Sequence, residues 1–280
     1  MVESKIKHGI LKIVSYALLI LIVFIAIFPI LWLFDSSLKN QTEIYTAKAT
    51  FLIKDITIDN YIRVLFESKI PRSFINSIIV SITATFLTVT LSTLSGYGFS
   101  RYKFKHGKLL FIGLLYGQMM PAVVLIIPLY LMFSKIGLLD NYFALILPDM
   151  AITIPMATLM LRGFFNGVSV EIEEAAQIDG DTKLGTLLHI VIPIAKPGLF
   201  SVAIYTFLTT WEEFLFALNL TNSAKIRTLP IAINMFMGEF VIDWGAIMSS
   251  GAIIALPVIL LFLCCNKVFV KGLADGGVKG

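Results

Sequence analysis

The sequence predicts an all-α membrane protein with six transmembrane helices and a short cytoplasmic helix between spans four and five. Three observations predict this fold class. The chain is 58% hydrophobic and only 14% charged, with a mean hydropathy of +0.89, far from the usage of soluble domains. Its apolar runs are long enough to cross a hydrocarbon core of about 30 Å as helices. These runs are also continuous, whereas the strands of a membrane barrel alternate apolar and polar residues.

We expect one transmembrane domain over residues 1–280, built from six apolar runs. The predicted spans are residues 13–34, 74–98, 109–133, 140–161, 197–220 and 248–266. The first run is longer than the core of a signal peptide, and no small-residue cleavage site follows FPILWLFDSSLK. It is therefore predicted to be an uncleaved signal anchor.

The orientation follows from the basic residues. An even number of spans places both termini on one side of the membrane. The terminal segments and the loops 99–108 and 162–196 together hold more than half of the 22 Lys and Arg residues. The densest cluster, RYKFKHGK, lies in a short loop, where the positive-inside rule is strongest. Both termini and the 162–196 loop are predicted to be cytoplasmic.

The acidic segment EIEEAAQIDGD, residues 171–181, lies in this cytoplasmic loop. Ser169 is a candidate N-cap, and the glutamates that follow fall in the first turns, where the helix dipole favours negative charge. Gly180 is expected to end the helix with a positive φ. Ile172, Ala175 and Ala176 follow helical spacing, so they share one face of small or apolar residues. Asp179 continues this face by one more turn. The alternative is a solvated surface loop.

A second helical stretch is predicted after Gly180 and before Pro193. Its apolar residues again follow helical spacing: Leu184, Leu187, Leu188 and Val191. The segment 169–191 is therefore predicted to be a helix–turn–helix at the membrane surface, joined to spans on both sides.

The acidic segment resembles a known motif. EEAAQIDG, followed by IVIP and KPGLF, is similar to the cytoplasmic motif of permease subunits of bacterial ABC importers. The motif residues in this chain are Glu174, Ala175, Ala176, Asp179 and Gly180. Other stretches resemble the maltose-type carbohydrate branch of that family: INSIIVSITAT, YGFSRYKF, MMPAVVLIIPLYLMFSKIGLLDNYFALIL, WEEFLFALNL, TLPIAI and GLADGGVKG. The resemblance runs from about Phe28 to Gly280.

The resemblance implies a role in a larger complex in the bacterial cytoplasmic membrane. The chain would form half of the path for a sugar or oligosaccharide, beside a homologous second permease and surrounded by lipid. Its segment 169–191 would be a coupling helix that docks in a cleft of an ATPase subunit. Two such subunits would bind ATP and Mg. A solute-binding protein would dock outside the cell on the loops 35–73 and 221–247.

Other chemistry finds no support in the sequence. No G-x-x-x-x-G-K-[ST] loop is present, so the chain is not expected to bind ATP or to be an enzyme by itself. Cys264 and Cys265 are adjacent, and the three histidines are scattered, so no metal-ligand spacing exists. No catalytic residues and no cofactor are expected. The net charge of +4 gives no support for nucleic-acid binding.

The substrate path is predicted from polar residues inside spans, which are costly unless they are paired or functional. Trp211 would offer a ring face to a sugar, and Glu212 or Glu213, about 100° apart on one helix, would accept hydrogen bonds from its hydroxyls. Asn76 and Asp149 are further candidates. The alternative for all of them is contact between helices.

The sequence departs from the family pattern at two of its motifs. Val170 replaces the proline that usually precedes the motif's first glutamate, and Glu212 replaces the asparagine of WNEF. The second departure leaves the solute open, and a permease for a polyol or glycerol phosphate is the alternative. A membrane enzyme or scaffold would need a catalytic cluster at one depth, and a proton-coupled carrier would need a connected acid–His or Lys network. The sequence shows neither.

Overall fold

The computed structural model describes residues 2–46, 50–51, 53–103, 105–238 and 241–277, with side chains described between 11 and 264. Every regular element within these ranges is helical, and extended backbone pairs only at two isolated bridges, Lys39–Ile56 and Met237–Ile242. The fold is all-α, as predicted. Cys265 and most lysines of the two terminal segments lie outside the described side chains.

The helices follow the apolar runs of the sequence. They are α1 Val2–Ser37, α2 Gln41–Ile44, α3 Asp59–Ile62, α4 Ile70–Arg101, α5 Gly107–Gln118, α6 Ala122–Lys135, α7 Tyr142–Asn166, α8 Val170–Ile178, α9 Lys183–Thr186, α10 Ile192–Ile194, α11 Lys196–Trp211, α12 Leu215–Leu220, α13 Leu229–Asn234 and α14 Trp244–Gly277. Two π-helical segments, Arg63–Glu67 and Leu187–Val191, continue α3 and α9.

Four of the described helices are candidate single spans by length and composition, and two bent helix pairs are further candidates. In the described residues, α1, α4, α7 and α14 are each long and apolar enough to cross a membrane, and counting each bent helix pair as one span gives six. The helices α5 and α6 meet at 95°, with Pro121 at the break, where its missing N–H cannot continue a helix. A second break of 81° precedes α11.

Two of the predicted spans contain a break in the helix. The sequence predicts one helix over 109–133, but the chain turns sharply inside that range, between α5 and α6. It also predicts one helix over 197–220, but α11 ends at Trp211 and α12 begins only at Leu215. Composition records apolarity and does not record a change of direction, so neither break could be read from it.

The first of two compact units comprises Met1–Ile70 and Ile233–Ala255. The buried amide of Asn60 donates to the carbonyl oxygens of Ser37 at 3.1 Å and Lys39 at 2.8 Å, so it ties the end of α1 to α3. Gly245 lies so close to Asn60 that a Cβ there would be 2.4 Å from its Oδ1. Only glycine permits this approach.

The second unit comprises Pro71–Ala232 and Leu256–Gly280, and α7 is its most buried helix. Hydroxyl pairs join α4 to α7: Thr88 with Thr153 at 3.0 Å and Ser95 with Thr158 at 2.9 Å. Gly96 brings the two helices together, since a Cβ there would lie 3.2 Å from that of Leu161. Small and hydroxyl residues at such contacts are typical of helices that pack within a membrane.

An apolar cluster joins α4, α7, the segment after α8 and α11. Its buried members are Tyr97, Ala157, Leu161, Phe165, Val168, Leu187, Val191, Ala195 and Val202. At the start of α11, a Cβ on Gly198 would lie 2.3 Å from the ring of Phe164, so α11 begins in close contact with the end of α7. We call this set of residues the α7–α11 cluster. It holds together the segments that precede and follow α8 in the chain.

Candidate functional site

The N-terminus of α8 is positioned by Ser169, the predicted N-cap. Its backbone has the extended conformation of a cap (φ −62°, ψ 134°), but its side chain makes no capping bond to the helix backbone. The hydroxyl instead donates to the carboxylate of Glu171. This hydrogen bond holds the pKa of Glu171 below its ordinary value, so the first turn carries a stable negative charge where the helix dipole favours it.

The C-terminus of α8 is closed by Gly180, which has a φ of +97°, the positive value that the sequence predicts. The N–H of Asp181 donates to the carbonyl oxygen of Ala176 at 3.0 Å, and the N–H of Gly180 donates to that of Gln177 at 3.2 Å. These two bonds form a Schellman motif. Nothing lies within 4 Å of a Cβ at Gly180, so backbone conformation and not space calls for glycine.

The predicted small-residue face of α8 lies on the surface. Ile172 is 47% exposed, Ala175 and Glu174 are exposed, and Ala176 is partly buried. Ile178, which is not part of the predicted face, extends it and is 86% exposed. Asp179 and Gly180 are exposed at its end. A short helix that presents apolar and small side chains outward is suited to contact with another protein.

The opposite face of α8 is anchored by Glu173, which is only 3% exposed. Its carboxylate accepts hydrogen bonds from the hydroxyl of Tyr97 at 2.8 Å and from Nε of Arg101 at 2.8 Å. Nη2 of Arg101 also lies 2.6 Å from the carboxylate. Glu173 lies in the first turn of α8, as the sequence predicts, but unlike the neighbouring acids it is buried, because two partners at the end of α4 hold its side chain.

Arg101 also binds the end of α7. Its Nη2 donates to the carbonyl oxygen of Phe165, in the last turn of α7, at 2.7 Å and to that of Val168, just beyond the helix, at 2.9 Å. In the sequence, Arg101 is only the first basic residue of RYKFKHGK, the cluster that indicates the orientation. No local signal marks it, because Glu173 lies 72 positions further along the chain.

The segment after α8 is helical but differs from the predicted stripe. Thr182 caps α9 by accepting from the N–H of Gly185 at 3.0 Å. Two of the four predicted stripe residues, Leu187 and Val191, are buried in the α7–α11 cluster. The other two, Leu184 and Leu188, are exposed. The π-helical turn over Leu187–Val191 changes the residues per turn, so the regular helical spacing fails there.

Asn76, a predicted path residue, is fully buried and holds segments of the chain together. Its amide donates to the carbonyl oxygens of Lys225 at 2.9 Å and Arg227 at 2.8 Å. Its side-chain oxygen accepts from the hydroxyl of Tyr142 at 2.7 Å. Both amide hydrogens are thereby occupied, so the geometry favours the alternative of contact between helices.

Trp211 does not offer the open ring face that the sequence predicts. Its side chain is 1% exposed. Phe207 stacks on it at 5.6 Å between ring centroids, and Phe74 packs edge-on at 5.7 Å. The ring is therefore part of the protein core in this conformation.

Glu212 and Glu213 lie beyond the end of α11, so the predicted helical separation of their side chains does not apply. The carboxylate of Glu213 accepts from the backbone N–H groups of Phe216 at 2.6 Å and Ala217 at 3.0 Å, and so caps α12. Glu212 is exposed. Asp149 is 4% exposed within α7. Of the five predicted path residues, only Glu212 is exposed.

Comparison with known proteins adds a family assignment to this geometry. Residues 89–275 match the family described as binding-protein-dependent transport system inner membrane component. The chain is 33% identical over 254 residues to the permease protein of the sulfoquinovosyl glycerol transport system of Agrobacterium fabrum, covering 91% of this chain and 89% of that protein. It is 34% identical over 269 residues to the trehalose/maltose transport system permease of Thermococcus litoralis, covering 93% and 94%.

A solved structure shares the fold. The chain matches the crystal structure of a bacterial ABC transporter involved in the import of the acidic polysaccharide alginate, with a TM-score of 0.81. The match covers 92% of this chain and 96% of that chain at 21% sequence identity. At this identity the match concerns architecture and not substrate.

Proposed function

The chain belongs to the family of binding-protein-dependent transport system inner membrane components, and we propose that it forms half of the translocation path of an ATP-driven importer of a sugar or oligosaccharide. The observation that carries the proposal is α8, a short helix that exposes small and apolar residues and is joined to α7 and α11. The substrates in the names of the two relatives, a glycerol-linked sugar and trehalose or maltose, support a carbohydrate.

The exposed face of α8 is the proposed docking surface for an ATPase subunit. Ala175 and Gly180 permit a close approach, and Ile172 and Ile178 would lose their contact with water on docking. Glu174 stands exposed beside them and could pair with a basic residue of the ATPase. Helix formation by so short a segment would be marginal alone, so its anchored inner face holds it ready for the partner.

Movement of α8 would reach the spans through the α7–α11 cluster. Leu187 and Val191 follow α8 and pack in that cluster with Phe165 of α7 and Val202 of α11. A close-packed interior transmits displacement because it is not easily compressed. When the ATPase subunits close and reopen, α7 and α11 would therefore move with α8.

Energy and substrate would come from partner proteins. The sequence has no loop that could cradle nucleotide phosphates, so ATP and Mg would be bound by two ATPase subunits. A homologous second permease would complete the path, and an extracytoplasmic solute-binding protein would deliver the sugar. The apolar window of α1 has none of its residues buried within this chain, which supports contact with lipid or with the second permease.

The proposed orientation in the membrane is argued from basic residues, and the proposed path from the exposure of side chains. The lysines and arginines of RYKFKHGK and of the loop that contains α8 support a cytoplasmic location for that loop and for both termini. Within the path, Glu212 is the residue whose exposure leaves its carboxylate available to sugar hydroxyls. Asn76, Trp211 and Glu213 would shape the path by holding its helices.

The test is uptake by reconstituted vesicles that contain this chain, the second permease and the ATPase subunits. We expect uptake of a labelled oligosaccharide that requires both ATP and the binding protein. Labelled polyol and glycerol phosphate are the comparison solutes, and preferred uptake of either would replace the carbohydrate assignment. Uptake driven by a proton gradient without ATP would contradict the importer class itself.

A further inference from the structure

The buried contact between Arg101 and Glu173 joins α8 to a helix that is not adjacent to it in the chain. Resting on the proposed function, we infer that Arg101 makes α4 part of the element that α8 moves, so that α8 and the adjoining ends of α4 and α7 move as one body. Arg101 is a positioning residue in this scheme, since it acts through Glu173. Arg101 lies outside the stretch that marks α8 in the sequence, EEAAQIDG, which begins with Glu173.

The first support is the geometry of the Arg101 network, which we define as Tyr97, Arg101, Glu173 and the carbonyl groups of Phe165 and Val168. Within it, α8 is held to α4 by both oxygens of Glu173: Oε2 accepts from Tyr97 and Oε1 from Arg101. The side chains of Arg101 and Glu173 are 10% and 4% exposed. Two bonds to one carboxylate fix the rotation of α8 as well as its distance from α4.

The second support is that the same guanidinium binds a third element. Nη2 of Arg101 donates to Phe165 and Val168 at the end of α7, and the hydroxyl of Ser100 donates to Asn166 Oδ1 at 2.7 Å. Arginine suits this position because its planar fork presents several donors in fixed directions, whereas lysine offers a point charge. The loss of Arg101 would therefore free α8 from α4 and α4 from α7 together.

The third support is energetic. A buried ion pair is often no more stabilising than apolar residues of the same volume, because both charges lose their hydration. The fold could have closed this site with apolar packing, as the neighbouring α7–α11 cluster does. The charged network adds a fixed orientation, because its hydrogen bonds resist both sliding and rotation of α8 relative to α4. Transmission of movement needs that property more than folding does.

The route that follows runs along α4 to its other end. The hydroxyl pairs Thr88–Thr153 and Ser95–Thr158 bind α4 to α7 at two positions between Arg101 and the start of α4. Near the start of α4, Asn76 binds the carbonyl groups of Lys225 and Arg227, which belong to the loop before α13. Movement of α8 would thus reach this loop through one helix, in addition to its passage through α7 and α11.

The experiment replaces the network by a removable covalent bridge. Tyr97→Cys and Glu173→Cys are combined in a Cys264→Ser/Cys265→Ser background and assembled with the second permease and ATPase subunits. Unbridged, we expect uptake per ATP hydrolysed to fall about 5-fold or more, the lower range of coupling between distant sites. A bis-methanethiosulfonate whose spacer matches the two lost side chains should restore it. A monofunctional methanethiosulfonate, which modifies the same thiols without joining them, should not.

Two further arms keep the outcomes distinct. Arg101→Lys should retain the ATPase subunit on purification but lose uptake per ATP, whereas Lys103→Gln, an exposed basic residue two positions away, should change neither. Full uptake by the unbridged cysteine pair, or failure of the bridge to restore it, would overturn the inference. If the complex with unaltered network residues shows no ATP-driven uptake in the same vesicles, the proposed function fails instead.

Discussion

The N–H of Asp181 donates to the carbonyl oxygen of Ala176 at 3.0 Å, and Gly180, with a φ of +97°, makes the turn that brings the two together. This bond ends α8 and sets the direction in which the chain continues to α9. The end of α8 and the direction of the chain after it therefore depend on the positive φ of Gly180, which residues with a side chain rarely adopt.

Gly180→Val should cost about 1–2 kcal/mol locally, because a β-branched residue is disfavoured at positive φ. The turn would reorient, and less ATPase subunit should co-purify while membrane insertion stays normal. Gly180→Asn should retain most of the ATPase subunit, since asparagine tolerates this conformation. Gly163→Ala in α7 is the matched control, because nothing lies within 4 Å of a Cβ there. Normal co-purification with Gly180→Val would contradict the role of the turn.

Asn76→Ala should destabilise the complex by about 1–3 kcal/mol, because the carbonyl groups of Lys225 and Arg227 lose their shared donor. Tyr142→Phe removes only one bond of the same cluster and should cost about 1 kcal/mol. Thermal unfolding in detergent measures both variants. A changed KM for sugar uptake at unchanged stability would instead place Asn76 on the substrate path.

Substitutions at Glu213 and Glu212 should have different effects, because Glu213 caps α12 and Glu212 is exposed. Glu213→Ala removes the cap of α12 and should cost about 0.5–2 kcal/mol in thermal unfolding. Glu212→Gln should leave unfolding unchanged and alter the KM or the range of sugars taken up. Uptake that is the same in Glu212→Gln as in the unaltered chain would remove Glu212 from the path.

Asp243 should make the stability of the first unit depend on pH in the acid range. Burial raises the pKa of Asp243, but the hydrogen bonds from Arg63 and the N–H of Ala246 lower it more, so the pKa lies below its ordinary value. The ionised carboxylate therefore stabilises the fold above the ordinary carboxyl range, and this contribution is lost as the pH falls through the lowered pKa.

The contribution of Asp243 should be below about 1 kcal/mol, because the pair with Arg63 is partly exposed and screened. Asp243→Asn should reduce the loss of thermal stability between neutral and acid pH. Asp55→Asn, at an exposed position in the same unit, controls for the removed charge. Equal acid sensitivity of Asp243→Asn and the unaltered chain would show that the pair with Arg63 contributes nothing to stability.

The features of α8 that the sequence predicts correctly are local ones. Gly180, Ala175 and Ile172 could be placed because helical spacing and a terminal glycine are properties of neighbouring residues. The apolar runs likewise predicted the helices α1, α4, α7 and α14, since a membrane helix must be apolar along its whole length.

The features that the sequence missed depend on residues far apart in the chain. Glu173 resembles its acidic neighbours, and only the fold brings Arg101 and Tyr97 to it. Trp211 could not be recognised as buried without Phe74, which comes from another helix. The sharp turn between α5 and α6 arises within a continuous apolar run, and the two helices together are apolar enough to form one span.

Docking of α8 on an ATPase subunit is tested most directly by photo-cross-linking in the assembled complex. A photoreactive amino acid is introduced at Ala175 or Ile178, on the exposed face of α8, and at Ile56, an exposed residue of the loop 35–73, as the control. Docking through α8 predicts an adduct between this chain and the ATPase subunit from both α8 positions and none from Ile56. An active complex that gives no such adduct from either α8 position would contradict it.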